Sequence, residues 1–148
     1  MKNSVLLVFI LSQFSFFAQD YKFGKVSKAE LEEHFYPLDS TADAAYLYKY
    51  RRTYFEYMQD EGGFKVITDH HMRIKIYSKD GFEKATQYFE YYTPGSGKKE
   101  RISSLKAYTF YLENGKLRKK QISKGAIFDE KRSKYRSVKK ITMPNVIE

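Results

Sequence analysis

FKVITDHHMRIKIY, residues 64–77, alternates with a period of two. In an extended chain Phe64, Val66, Thr68, His70, Met72, Ile74 and Ile76 share one side, and Lys65, Asp69, His71, Arg73 and Lys75 share the other. A helix would scatter the same residues around its axis, so the stretch reads as a strand. It predicts one apolar face turned to a core and one charged face turned to water. Upstream, the turn DEGG (60–63) separates it from AYLYKYRRTYFEYM (45–58), which is dense in aromatic residues, lacks glycine and proline, and reads as a second long strand. Downstream, Asp80-Gly81 precedes FEKATQYFEYY, and that dipeptide predicts a hairpin back onto residues 64–77.

The remaining elements follow from local chemistry. Beyond the polar loop TPGSGKKER, the runs SSLKAYTFYL and KLRKKQI flank Glu113-Asn114-Gly115-Lys116. Asn-Gly between strand-like runs predicts a tight hairpin, because both central residues must take positive φ. A basic connection, SKGAIFDEKRSK, with one helical turn expected near Ala126 to Asp129, leads to a last strand at YRSVKKITM. Near the start, VSKAELEEHF (26–35) places Ser27 three residues before Glu30, a capping-box pattern that predicts one short helix. The sum is a mainly β, antiparallel, sandwich-like module of about six strands with one short N-terminal helix.

At 148 residues, 18% of them aromatic, the chain supports one domain. Its first residues, MKNSVLLVFILSQFSFFAQD, show a lysine, an apolar run from Val5 to Phe17 and a small residue at Ala18. This is the pattern of a signal peptide over 1–18, with the domain occupying 19–148. As a helix the run spans roughly 20 Å against a hydrocarbon core of roughly 30 Å, too short for an anchor, so no transmembrane span is expected after cleavage. There is no cysteine, which excludes disulfide scaffolds, thiol nucleophiles and thiolate metal sites.

Four patterns invite a chemical reading, and three of them fail on spacing. GSGKK (95–99) lacks both the earlier glycine and the hydroxyl of a phosphate loop, since Tyr92 and Lys99 stand there. Asp69 and His71 share a strand face that His70 cannot join, which leaves a metal short of ligands; His70 is expected to be buried and hydrogen-bonded, His71 solvated. Neither a histidine-activated hydroxyl nor a facing carboxylate pair is indicated, and Glu32-Glu33 and Asp129-Glu130 read as solvated charges. No catalytic residue, cofactor or metal is expected.

The fourth pattern is charge. Residues 20–97 hold 11 basic and 13 acidic side chains, whereas residues 98–140 hold 15 basic and 4 acidic ones. Arg118, Lys119, Lys120, Lys131, Arg132, Lys134, Arg136, Lys139 and Lys140 are therefore the candidate contacts for an anionic partner. In an exported protein that partner is an anionic envelope polymer or another envelope protein rather than nucleic acid. Tyr46, Tyr48, Tyr50 and Tyr54 would line one strand face, an aromatic ladder that reads mainly as cross-strand packing.

Laid end to end, YKFGKVSKAELE, HHMRIKIYSKDG, SSLKAYTFYLENGK and IFDEKRSKYRSVKKITMPNV resemble, in order and spacing, the domain of unknown function that precedes transglutaminase-like domains in exported proteins of Bacteroidetes. The resemblance implies a β-sandwich-like N-terminal module, a periplasmic or cell-envelope location in a Gram-negative bacterium, and a transglutaminase-like domain as a partner. Its Cys-His-Asp triad has no counterpart in a sequence without cysteine. In the family the Pro-Asn-Val stretch leads into a further strand, so a module shortened at its C-terminus is expected. The expected function is thus a non-catalytic exported module of a transglutaminase-like protein that contacts protein or envelope polymer. The alternative is a non-functional or split fragment of such an enzyme without its catalytic domain.

Overall fold

The computed structural model describes residues 21–146, and the expected signal peptide, 1–18, lies outside the described residues. Among the described residues one short α-helix, α1 (Lys28–Glu32), precedes seven strands: β1 (Ala44–Met58), β2 (Gly63–Ile76), β3 (Thr86–Tyr92), β4 (Tyr108–Glu113), β5 (Lys116–Gln121), β6 (Ile127–Lys131) and β7 (Arg136–Thr142). All strand pairs are antiparallel. They form a β1–β2 ribbon, a three-stranded sheet in the order β3–β7–β6, and a β4–β5 ribbon. The expected mainly β, sandwich-like architecture is what the chain adopts.

Several local expectations hold at the residue level. Asn114 and Gly115 both take positive φ, 52° and 69°, and close the β4–β5 hairpin. Ser27 Oγ accepts the Glu30 amide at 3.1 Å and starts α1. The DEGG turn joins β1 to β2, with Gly62 at φ 62°.

Two expectations are overturned. Asp80-Gly81 turns no hairpin, since the dipeptide sits in a 3-10 helix, Lys79–Ala85, that carries the chain from β2 across to β3 in the other sheet. Gly81 is needed there for closeness, because a Cβ would lie 2.3 Å from the Asp43 carbonyl oxygen. The helical turn expected over Ala126 to Asp129 occupies Lys124–Ala126 instead, and Ile127 onward forms a seventh strand, β6. That strand has little apolar character, but Asp129 stands directly opposite Lys139 of β7 and accepts its ammonium at 2.7 Å.

The two β-layers meet unequally. β1 and β2 have 15 and 14 residues, β3 and β7 only 7 each. At roughly 3.3 Å per residue the ribbon runs for almost 50 Å and the sheet facing it for about 23 Å. The two layers touch along one half of the ribbon, where His70 lies edge-on to Phe89 at 6.2 Å and the Tyr46 hydroxyl reaches Gln87 at 3.3 Å. The buried apolar residues, Ala45, Ala85, Ile122, Val138 and Ile141, are correspondingly few.

Candidate binding surfaces

Sheet pairing divides the nine candidate cations rather than gathering them into one strip. Arg118, Lys119 and Lys120 lie on β5, in a ribbon that is not hydrogen-bonded to the sheet carrying Lys131, Arg136, Lys139 and Lys140. On β7, Lys139 shares a face with Asp129, whereas Arg136 and Lys140 point to the opposite face. Some are already engaged. Lys139 is held by Asp129, whose carboxyl is kept below its ordinary range by that bond and by the Tyr91 hydroxyl at 2.7 Å. Lys131 donates to the Thr93 carbonyl at 3.0 Å, Lys119 sits 3.8 Å above the Tyr108 ring, Lys134 lies over Tyr135 and Lys140 over Tyr88. Arg132, Lys134 and Arg136 lie exposed in and beside the β6–β7 turn.

β5 is the most open of these segments, exposed at every one of its residues. Its alternation puts Arg118 and Lys120 on one face together with Lys116, a cation outside the candidate set. Three cations thus stand in a row about 7 Å apart, two residues per step. Arg118 pairs with Glu113 at 2.9 Å, and the same carboxylate stands opposite Lys116 across the hairpin.

The charged face of β2 is a second site, and it inverts the expectation for this strand. The alternation turns Arg73 and Lys75 toward water, but their side chains are only 12% and 10% exposed. The N-terminal segment and α1 cover them. The Arg73 guanidinium takes both carboxylate oxygens of Glu30, at 2.9 and 3.2 Å, and donates to the carbonyls of Lys22 and Lys25, with the Tyr21 ring beneath it. Lys75 donates to the carbonyls of Glu30 and Glu33 at the end of α1, and burial pushes its ammonium below the ordinary lysine range. Glu30 therefore serves Arg73, which explains how a five-residue helix that buries no residue is held in place.

The histidines are exchanged relative to expectation for the same reason. His71 lies on the covered face, edge-on to Tyr48 at 4.8 Å and Phe23 at 5.3 Å, and burial lowers its pKa, with Arg73 adding to the effect. His70 is exposed. The tyrosine ladder is broken as well. Register slips between Tyr46 and Tyr48, so Tyr46 faces the β3 sheet while Tyr48 and Tyr50 stack on the N-terminal side, Tyr48 against Tyr21 at 5.3 Å.

The far end of the ribbon is a third surface. Phe55 pairs with Val66 and Tyr57 with Phe64, so all four lie on the face that meets the β3 sheet further along, but beyond its reach. They are 72%, 64%, 55% and 70% exposed, respectively. Among the described residues no group of histidine, cysteine, aspartate and glutamate could hold a metal, and no helix is long and apolar enough to cross a membrane. No family model, curated protein or solved structure matches the chain.

Proposed function

We propose that the chain is a non-catalytic exported module of a transglutaminase-like protein and that it holds anionic polymer of the cell envelope. The observation that carries this reading is the row Lys116, Arg118 and Lys120 on a fully exposed strand. Cations spaced about 7 Å apart along an extended backbone match the repeat of a polyanion, and each bound phosphate or carboxylate releases counterions. Arg132, Lys134 and Arg136 add to the field that draws such a polymer in. The resemblance supplies the wider setting, an envelope protein that works beside a transglutaminase-like domain.

Binding to purified lipopolysaccharide and to acidic-phospholipid vesicles tests the reading. Affinity should fall at least about tenfold between roughly 50 and 200 mM salt, and Lys116→Glu with Lys120→Glu should abolish it. Binding that ignores both salt and the double substitution would sink the proposal.

A further inference from the structure

We propose that the cleft where the start of β1 meets the 3-10 helix and β3 binds a neutral pyranose sugar. The inference is independent of the polymer-binding row on β5, which lies on a different ribbon.

The cleft encloses about 410 Å³ and is lined by Tyr46, Glu83, Lys84, Thr86, Gln87 and Tyr88. That volume falls within the range of small-ligand sites, roughly 300–1,000 Å³. Two large rings stand open in it, Tyr46 at 42% and Tyr88 at 54% exposure. Tyr46 is there because the register slip between Tyr46 and Tyr48 turns it away from the other tyrosines of β1 and toward β3. An exposed aromatic ring offers an apolar, electron-rich face, and the C–H face of a pyranose, with its hydrogens outermost, stacks on it. Lys49 and Lys140 lie over the two rings at 5.2 and 5.9 Å, and each ammonium covers at most one face of its ring.

The polar groups of the cleft suit hydroxyls. The Tyr46 hydroxyl donates to Gln87 Oε1 at 3.3 Å, and Gln87 Nε2 donates to the Lys84 carbonyl at 2.8 Å. This chain fixes the Gln87 amide and leaves it one lone pair and one N–H, a donor beside an acceptor for adjacent sugar hydroxyls. The backbone adds to them, because β3 is an edge strand. Ladder bonds from the Met143 amide to the Ala85 carbonyl and from the Thr93 amide to the Tyr135 carbonyl fix the alternation, so Thr86, Tyr88, Glu90 and Tyr92 turn their peptide groups away from β7. The Thr86 amide is taken by the Glu83 carbonyl and both peptide groups of Tyr92 by Glu100. Tyr88 keeps an outward N–H and C=O with no partner among the described residues.

Charge selects a neutral ring over an acidic one. Glu83 and Lys84, the ionised groups of the lining, balance each other at 2.6 Å. The Glu83 carboxylate would accept a sugar hydroxyl and repel a uronate.

Titration of the isotope-labelled protein with the methyl glycosides of glucose, galactose and N-acetylglucosamine, followed by amide chemical shifts, tests this. At least one should bind with a Kd near ~1 mM, the affinity a ligand of about a dozen heavy atoms reaches at ordinary efficiency. The shifted amides should centre on Tyr46 and residues 83–88, and methyl glucuronide should bind more weakly than methyl glucoside. Tyr88→Ala and Glu83→Ala should each weaken binding at least about fivefold. Both side chains are more than half exposed, so circular dichroism should show the fold unchanged. Lys116→Glu with Lys120→Glu, or a rise from roughly 50 to 200 mM salt, should leave the affinity within about twofold, which separates this site from the polymer row. No shift with any of the three glycosides at roughly 20 mM would overturn the inference. So would shifts centred elsewhere, binding indifferent to both alanine variants, tighter binding of the glucuronide, or an affinity that falls with salt.

Discussion

The two ends of β2 are built from the same alternating sequence and have opposite fates. At its start Phe64 and Val66 are 70% and 64% exposed, whereas near its end the side chains of Arg73 and Lys75 are 12% and 10% exposed. Apolar side chains stand in water and cations are covered on one strand. What differs is the neighbour. The second half lies under the N-terminal segment on one face and against the β3 sheet on the other, while the first half projects beyond both. A cation tolerates such cover when its hydrogen bonds are replaced, and Arg73 has replaced them with one carboxylate and two carbonyls. Burial along this ribbon therefore follows what lies over it more closely than it follows residue type.

The most severe way to break that contrast is at the covered end. Arg73→Ala should cost about 2–4 kcal/mol, since it strands the Glu30 carboxylate and the carbonyls of Lys22 and Lys25 in partly buried positions. The urea midpoint should fall, and amide protection across α1 should vanish with it. A loss below about 0.5 kcal/mol would mean that the clasp holds nothing.

A smaller effect is expected from pH at His71. Burial holds the folded-state pKa below the ordinary 6.5, so the unfolded chain binds the proton more readily. The stabilisation from neutral His71 is complete above the unfolded value and declines as pH falls below it, levelling off beneath the folded value. Stability measured from pH 8 to 5 should drop, and His71→Phe should flatten that part of the profile. An unchanged slope in the variant would remove His71 as its source.

The smallest effect belongs to the projecting end. Phe64→Ser should change stability by no more than about 0.5 kcal/mol, because the ring is mostly in solvent already. A cost above about 1.5 kcal/mol would show that this end is covered after all, and the contrast between the two ends would collapse.

Much of the secondary structure was legible because it depends on near neighbours. Alternation placed β1 and β2 almost to the residue, Asn114-Gly115 placed the β4–β5 hairpin, and Ser27 placed the start of α1. β6 was not legible, since an edge strand held by Asp129 opposite Lys139 needs its partner to be seen. Asp80-Gly81 misled because glycine serves two purposes, and here close approach to Asp43 prevailed over a turn. Of the candidate site, Arg118 and Lys120 were found from charge density, but that β5 is exposed along its whole length required the tertiary structure.

The sequence by itself determined that this chain is β-rich and antiparallel, where most of its strands run, and that its positive charge is concentrated in its last third, because i to i+2 alternation, turn chemistry and composition are local properties. Only the tertiary structure decided which face of each strand is covered. That choice rests on a single-residue slip after Tyr46, on the return of the N-terminal segment across Arg73 and Lys75, and on a 23 Å sheet meeting a ribbon about twice its length. Each brings together residues far apart in the chain, where no local pattern records the distance.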